Sequence, residues 1–334
     1  MPARAVRNAT RPISIAVTLA ASAALATAWL LFADDHSQDL AGTFTEFPWL
    51  SFAAILTLLL IAAVHYLSAA IALRGVSNRS LPLVEATSSQ LAAATMNRIV
   101  PNGFGGAAVN VRYLSRSGLT PGAATSALVA LALIGGLTDA VYVAVVTTLG
   151  PALGMGGATQ ELHTLSQAGV AAGQSHRWLL AAVVTVLVVV LLVRTRGRLF
   201  RVVTAAARHA TVHARDLVLQ PRRLGVAAGA STMTTAILSA GFVLAVEVWG
   251  QAAHPLPVGA LIAVYWIAVA ANDATPLPAF LGLTEVAMIA ALVLSGYSAG
   301  SATVAVLAFR LITFWLPIPF GVLATRRLRR AQLL

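Results

Sequence analysis

The sequence predicts an all-α polytopic membrane protein: six clear transmembrane helices plus two helical hairpins, arranged as inverted-topology repeats. Three observations predict it. Several apolar runs reach about 20 residues in a chain that is 58% hydrophobic and only 10% charged, with a mean hydropathy of +0.84. Arginines and carboxylates sort into alternate loops. Two polar, helix-breaking segments occupy matching places in the two halves of the chain.

The elements follow in order. Residues 12–33 form a first span, entered from Arg4, Arg7 and Arg11. Its end at Ala26-Thr27-Ala28 also reads as a cleavable leader, and removal would not change the orientation downstream. Residues 47–149 form repeat one: a span over 47–73, a hairpin over 81–118 and a span over 122–149. A linking span covers 178–193, and a basic loop covers 194–223 with eight arginines against one Asp. Residues 224–324 form repeat two, with a span over 224–249, a hairpin over 258–296 and a span over 300–324. The longest polar stretches, 34–46, 150–176 and 194–223, are too short for a folded soluble domain, so the chain reads as one transmembrane domain.

Arginines before the first span and at Arg326, Arg327, Arg329 and Arg330 place both termini on the cytoplasmic side of the plasma membrane. Asp34, Asp35, Asp39, Glu46 and Glu161 then fall outside. The net charge of +11 fits topology and anionic lipid, and no nucleic-acid partner is expected. In the basic loop, Arg198, Arg201, Arg208 and Arg215 can share the polar side of a surface helix. All 22 basic residues are Arg, which excludes Schiff-base and P-loop lysine chemistry, and the absence of Cys excludes thiol nucleophiles and disulfides. No cofactor or metal is expected.

This orientation requires the hairpin 81–118 to enter from the inside and the hairpin 258–296 from the outside. Their exits, "GLTPGAAT" from Gly118 and "GYSAGSAT" from Gly296, share Gly, Gly, Ala and Thr in register. Upstream, "NRIVPNGFGG" from Asn97 and "NDATPLPAFLG" from Asn272 each place an Asn and a charge before Pro and Gly. Inverted repeats built on interrupted helices are the arrangement of alternating-access carriers.

The groups predicted at membrane depth are Glu85, Arg98, Asp139, Glu247, Asp273, Glu285 and Arg310. Facing lipid, they would together cost on the order of 20 kcal/mol, so they must share water or each other. Glu247 is the one closest to an interface. Helix breaks at Pro101, Gly105 and Gly106, and at Pro276, Pro278 and Gly282, free backbone groups that are tolerated only against protein or a watery cavity. The breaks therefore build a site, and Asn97, Arg98, Arg112, Asn272, Asp273, Glu285 and Arg310 are its candidate substrate-binding residues. Arg98, Arg112 and Arg116 suit phosphate, and a helix restarting near Gly105 and Gly106 would aim N–H groups at an anion. For Arg112 and Arg116 a cytoplasmic flank accounts equally well for the charge. Asp273 and Glu285 read either as a titrating gate or, for Glu285 with Arg310, as a structural pair. Asp139, after Gly135 and Gly136, reads as a helix-packing contact, and His65 and Tyr66 as packed groups.

At "VPNGFGGAAVNVRYLSRSGLTPGAA" and "PLPAFLGLTEVAMIAALVLSGYSAGSATVAVLAFRLITFWLPIPFG" the chain resembles the lysylphosphatidylglycerol synthase transmembrane family. Pro101, Gly105, Gly106, Arg112, Tyr113 and Gly118 match the first segment of that family. Pro276, Pro278, Gly282 and Glu285 match the second, followed by Arg310, Trp315 and Pro317 in an Arg-x-x-x-x-Trp-x-Pro helix. Ala279-Phe280 stands where many relatives carry Gly-Gly. The sequence shows no soluble aminoacyl-transferase half, so lipid lysylation is not implied. The resemblance implies polar-lipid translocation, with membrane lipids, anionic phospholipid or a lipid-linked substrate, as partners.

A transporter is therefore expected rather than an enzyme, with a proton-coupled small-solute carrier as the alternative. An intramembrane lipid-modifying enzyme ranks last, because Gly-x-Ser-x-Gly, His-Glu-x-x-His and a clustered Asp pair are all missing.

Overall fold

The computed structural model describes residues 48–77, 79–99, 104–149, 219–273 and 282–334, and every regular element among them is helical. In chain order these are α1 (Pro48–Val76), α2 (Leu83–Ile99), α3 (Phe104–Arg116), α4 (Pro121–Leu149), α5 (Pro221–Trp249), α6 (Val258–Asp273), α7 (Leu283–Leu294) and α8 (Ala299–Arg310). A π-helical turn (Leu311–Trp315) and α9 (Pro317–Arg330) follow. The expected spans 12–33 and 178–193, and nearly all of the basic loop, lie outside the described residues.

Four stretches are long and apolar enough to cross a membrane: Trp49–Val76, Pro121–Tyr142, Pro221–Trp249 and Ala299–Arg330. These are the expected spans that fall on described residues. Three of the four crossings start on Pro at the first helical residue, where its missing N–H would have no intrahelical partner anyway. Several hydroxyls in the described helices bond back to their own helix, as Thr57 does to the Ala53 carbonyl and Thr95 to that of Leu91, so these add no unsatisfied donor.

The last span departs from the expected single run over 300–324. Its helix continues to Arg330, where arginines can reach an interface, and it widens into a π turn at Leu311–Trp315. The cause is local. Pro317 has no N–H to give the carbonyl of Thr313 and its ring crowds that carbonyl. The ladder relaxes to a five-residue spacing, with the Leu316 N–H donating to the Leu311 carbonyl at 2.7 Å.

Both hairpins are present as helix pairs, α2 with α3 and α6 with α7. Their helices have 17, 13, 16 and 12 residues. At 1.5 Å per residue each spans only about 18 to 25 Å, short of the roughly 30 Å hydrocarbon layer.

The two hairpin exits are built alike. Gly118 and Gly296 both adopt positive φ, 97° and 92°, a conformation that favours glycine. Each closes a Schellman turn: Gly118 N–H bonds to Ser115 O and Leu119 N–H to Leu114 O, while Gly296 N–H bonds to Val293 O and Tyr297 N–H to Leu292 O. Two residues later Thr120 and Ser298 cap the next helices, accepting from the N–H groups of Ala123 and Ser301 at 3.3 Å each. The shared letters of the exits thus encode one hydrogen-bonding scheme twice.

Helices α1 and α5 pack antiparallel along their whole length. Trp249 Nε1 donates to Ser51 Oγ at 3.2 Å at one end, His65 meets the Thr234 carbonyl in the middle, and Gly75 lies against Ala227 at the other end. A Cβ on Gly75 would come within 2.9 Å of Ala227, so glycine sets this close approach. Helix α9 packs antiparallel on α2 in the same way, with Gly321 against Thr95 and Leu91, and Arg327 near Glu85.

Two apolar clusters flank this spine. One holds Leu58 and Ile61 of α1 with Phe242, Leu261, Met288 and Phe309. The other holds Leu73 and Val76 of α1 with Ala92, Tyr113, Ala127 and Leu328. His65 and Tyr66 lie on α1 between the two sets, so polar groups mark the junction of the cores.

Charge is segregated along the spine. Arg74, Arg79, Arg222, Arg223 and the α9 arginines gather where α1 ends and α5 begins. Glu85 lies at that end too, half-buried and 4.0 Å from Arg327, so it does not sit at mid-membrane depth as expected. Such an exposed pair contributes little. Glu247 is exposed near the far end of α5.

Candidate functional site

A cavity of about 220 Å³ lies at the junction, lined by His65 and Tyr66 of α1, Asn97 and Arg98 of α2, Arg310 of α8 and Phe314 of the π turn, among others. Arg98 is 13 residues along α2 from Glu85, about 20 Å from the arginine-rich end, and His65 is 14 residues along α1 from Ser51, about 21 Å from the other. The cavity therefore sits near mid-depth.

Its two guanidinium groups share one ring. Arg98 Cζ lies 4.2 Å from the Phe314 centroid and Arg310 Cζ lies 4.0 Å from it. A desolvated cation over an aromatic face gains up to about 2 kcal/mol, and the i,i+4 spacing of Arg310 and Phe314 favours the contact. Beyond this the two arginines differ. Arg310 donates from Nε to Glu285 Oε1 at 2.7 Å, with both side chains almost fully buried. Arg98 is 8% exposed and, among the described residues, hydrogen-bonds only the Tyr66 hydroxyl at 3.4 Å and has no partner at Nε. No carboxylate pairs with it among the described residues. The second Glu285 oxygen, Oε2, is likewise buried without a partner.

Asn97 lines the cavity and also ties two helices together. Its Oδ1 accepts from the Gly106 N–H, so the end of α2 caps the start of α3 across the helix break. The N–H expected to face an anion is thereby occupied. A Cβ on Gly106 would strike the Asn97 amide at 2.6 Å, which is why glycine stands there. Gly105 is buried beside it, and Gly282 begins α7 with φ at 75°, again a glycine conformation.

Of the other candidates, Arg112 and Arg116 are exposed on α3 and do not line the cavity. Asn272 and Asp273 fall on the last turn of α6, and their side chains are outside the described groups, as are Pro101, Pro276, Pro278 and Ala279-Phe280 altogether. Asp139 accepts a hydrogen bond from Thr235 Oγ1 between α4 and α5. Sequence reasoning passed over Tyr66 as the guanidinium's partner and Tyr265, Phe309, Thr313 and Phe314 as lining groups. Among the described residues no cluster of His, Asp and Glu could hold a metal.

The arrangement can hold one anion. The Arg310–Glu285 pair is neutral, so among the described residues Arg98 leaves one positive charge unbalanced, with a free donor on a planar group suited to phosphate oxygens. No curated relative matches the chain. The family model for the lysylphosphatidylglycerol synthase TM region matches residues 13–321, nearly the whole chain, and this membrane protein belongs to that family, which is related to lipid handling.

Proposed function

We propose that the protein is an integral membrane transporter that moves a polar phospho- or glycolipid between leaflets, its head group passing through the cavity at Arg98. The observation that carries this reading is the buried guanidinium without a carboxylate partner among the described residues, at mid-depth in a chain of a lipid-handling family. A buried charge without an opposite charge costs several kcal/mol unless a ligand supplies one. A phosphate does so and matches the guanidinium fork.

The antiparallel α1 and α5, each followed by a short helical pair and a long span, support inverted-topology repeats. The arginine-rich end supports a cytoplasmic placement for the C-terminus. At about 220 Å³ the cavity is smaller than the 300–1,000 Å³ typical of ligand pockets. It suits a phosphate and a small head group, leaving acyl tails in the hydrocarbon.

The same volume favours one second reading, a small-anion carrier, coupled to protons through Glu285. Vesicles reconstituted with the protein and head-group-labelled lipids separate the two. Exchange of labelled phospholipid between leaflets, lost in Arg98→Ala, is the expected result. Uptake of a small anion without lipid exchange would select the carrier, and neither activity in well-folded protein would refute transport at this site.

A further inference from the structure

A second concavity, of about 550 Å³, opens where α1 ends and α5 begins. Four guanidinium groups line it: Arg74 from the last turn of α1, Arg79 from the loop that follows, and Arg222 and Arg223 from the first turn of α5. No carboxylate is among its described lining residues. Arg74 lies nine residues beyond His65, about 14 Å along α1, so this concavity is separate from the mid-depth cavity.

Positive-inside topology alone would scatter arginines over the loops, each solvated on its own. Here they converge from two helices whose crossing is fixed by the Gly75 contact with Ala227. Arg79 reaches the Gly118 carbonyl at 3.4 Å and Arg223 donates to Gln220 Oε1 at 2.8 Å, which holds two members of the set in place. The side chains of Arg74 and Arg222 make no hydrogen bond or ion pair among the described residues. Gln220 gives α5 no side-chain cap, so the partial positive charge of that helix terminus adds to the field. Ile71 and Val226 supply an apolar wall beside the charges.

We propose that this concavity is a phosphate-binding site, and the apolar wall favours the head group of an anionic phospholipid as the source, its glycerol end lying along Ile71 and Val226. Four converging cations hold a phosphodiester at the level of the lipid head groups, and the site keeps an anionic lipid on the arginine-rich side whatever the mid-depth cavity carries. Arg74 and Arg222 supply the unoccupied donors.

The test uses the full-length purified protein in detergent, with phosphatidylglycerol, phosphatidylcholine and inorganic phosphate as probes and the number of retained lipids read by native mass spectrometry. The expected result is preferential retention of phosphatidylglycerol that weakens about thirtyfold in Arg74→Gln/Arg222→Gln and largely survives in Arg74→Lys/Arg222→Lys. Loss of inorganic phosphate binding in the Gln variant, with no preference between the lipids, would support the site with free phosphate as its ligand. Equal affinity of the wild type and the folded Gln variant for every probe would overturn the proposal. If the double variant does not fold, Arg222→Gln alone is expected to weaken retention about fivefold, and an unchanged value would again overturn it.

Discussion

Replacing Arg98 by Met should make the protein more stable while abolishing its transport. A charged group at the centre of a membrane helix costs about 2.5 to 3.5 kcal/mol, and the Nε left without a partner adds about 1 to 3 kcal/mol. Against this stand a long hydrogen bond to Tyr66, about 1 kcal/mol, and a share of the Phe314 ring, about 1 to 2 kcal/mol. The balance leaves Arg98 a burden of about 2 to 3 kcal/mol, within a range of about 0.5 to 4.5 kcal/mol. Met keeps most of its length and apolar contact and removes that burden.

Arg310→Met is the opposite case. It strands the buried Glu285 carboxylate, which now holds Arg310 at 2.7 Å, and such a loss costs about 3 to 5 kcal/mol. Denaturation of the purified variants in micelles, followed by helical circular dichroism, measures both, alongside leaflet exchange in vesicles. Stability lost in Arg98→Met to the same degree as in Arg310→Met would refute the reasoning, because Arg98 would then be a structural member of a charge network rather than a waiting ligand group.

Other expectations follow from the same contacts. Gly321→Val puts side-chain atoms into Thr95 and the Leu91 carbonyl and should destabilise the α9 and α2 pairing by at least about 2 kcal/mol, whereas Gly225→Ala meets open space and should be neutral or stabilising; thermal unfolding compares them. Gly118→Ala and Gly296→Ala each force a side chain into positive φ and should lower stability by a similar amount, about 1 kcal/mol, if the two turns are equivalent; clearly unequal losses in the same measurement would count against that equivalence. Asn97→Asp retains an acceptor for the Gly106 N–H but sets a carboxylate beside Arg98, so helix content should hold while lipid exchange falls at least about tenfold; exchange at the wild-type rate would show that no anion needs Arg98.

The spans that can be compared were legible because apolar length is written directly in the sequence, and the observed ends of α1, α4 and α5 fall within a few residues of the expected ones. The hairpin exits were legible from Gly, since a positive φ at Gly118 and Gly296 is a conformation that favours that residue. The site was only half legible. Arg98 and Arg310 stood out as charges in apolar surroundings, but their separate fates, one paired and one open, depend on which helix faces which. Sequence spacing cannot fix that rotation. For Arg112 the two sequence readings, site or flank, were left open for the same reason: it lies in the matching motif, and α3 leaves it exposed outside the cavity lining.

The shared Phe314 ring connects the halves physically. Arg98 belongs to the first hairpin, Arg310 follows the second, and the ring between them sits on a π turn, where the backbone ladder is already widened. From that turn α9 runs back along α2, with Gly321 pressed on Thr95, so any shift of the turn is transmitted to the helix carrying Arg98. An anion drawn to Arg98 would compete with the ring for its guanidinium and loosen that contact. In the proposed transporter, occupancy of the cavity would thus bear on the relative position of the two halves through these contacts, as a device that alternates between two openings requires.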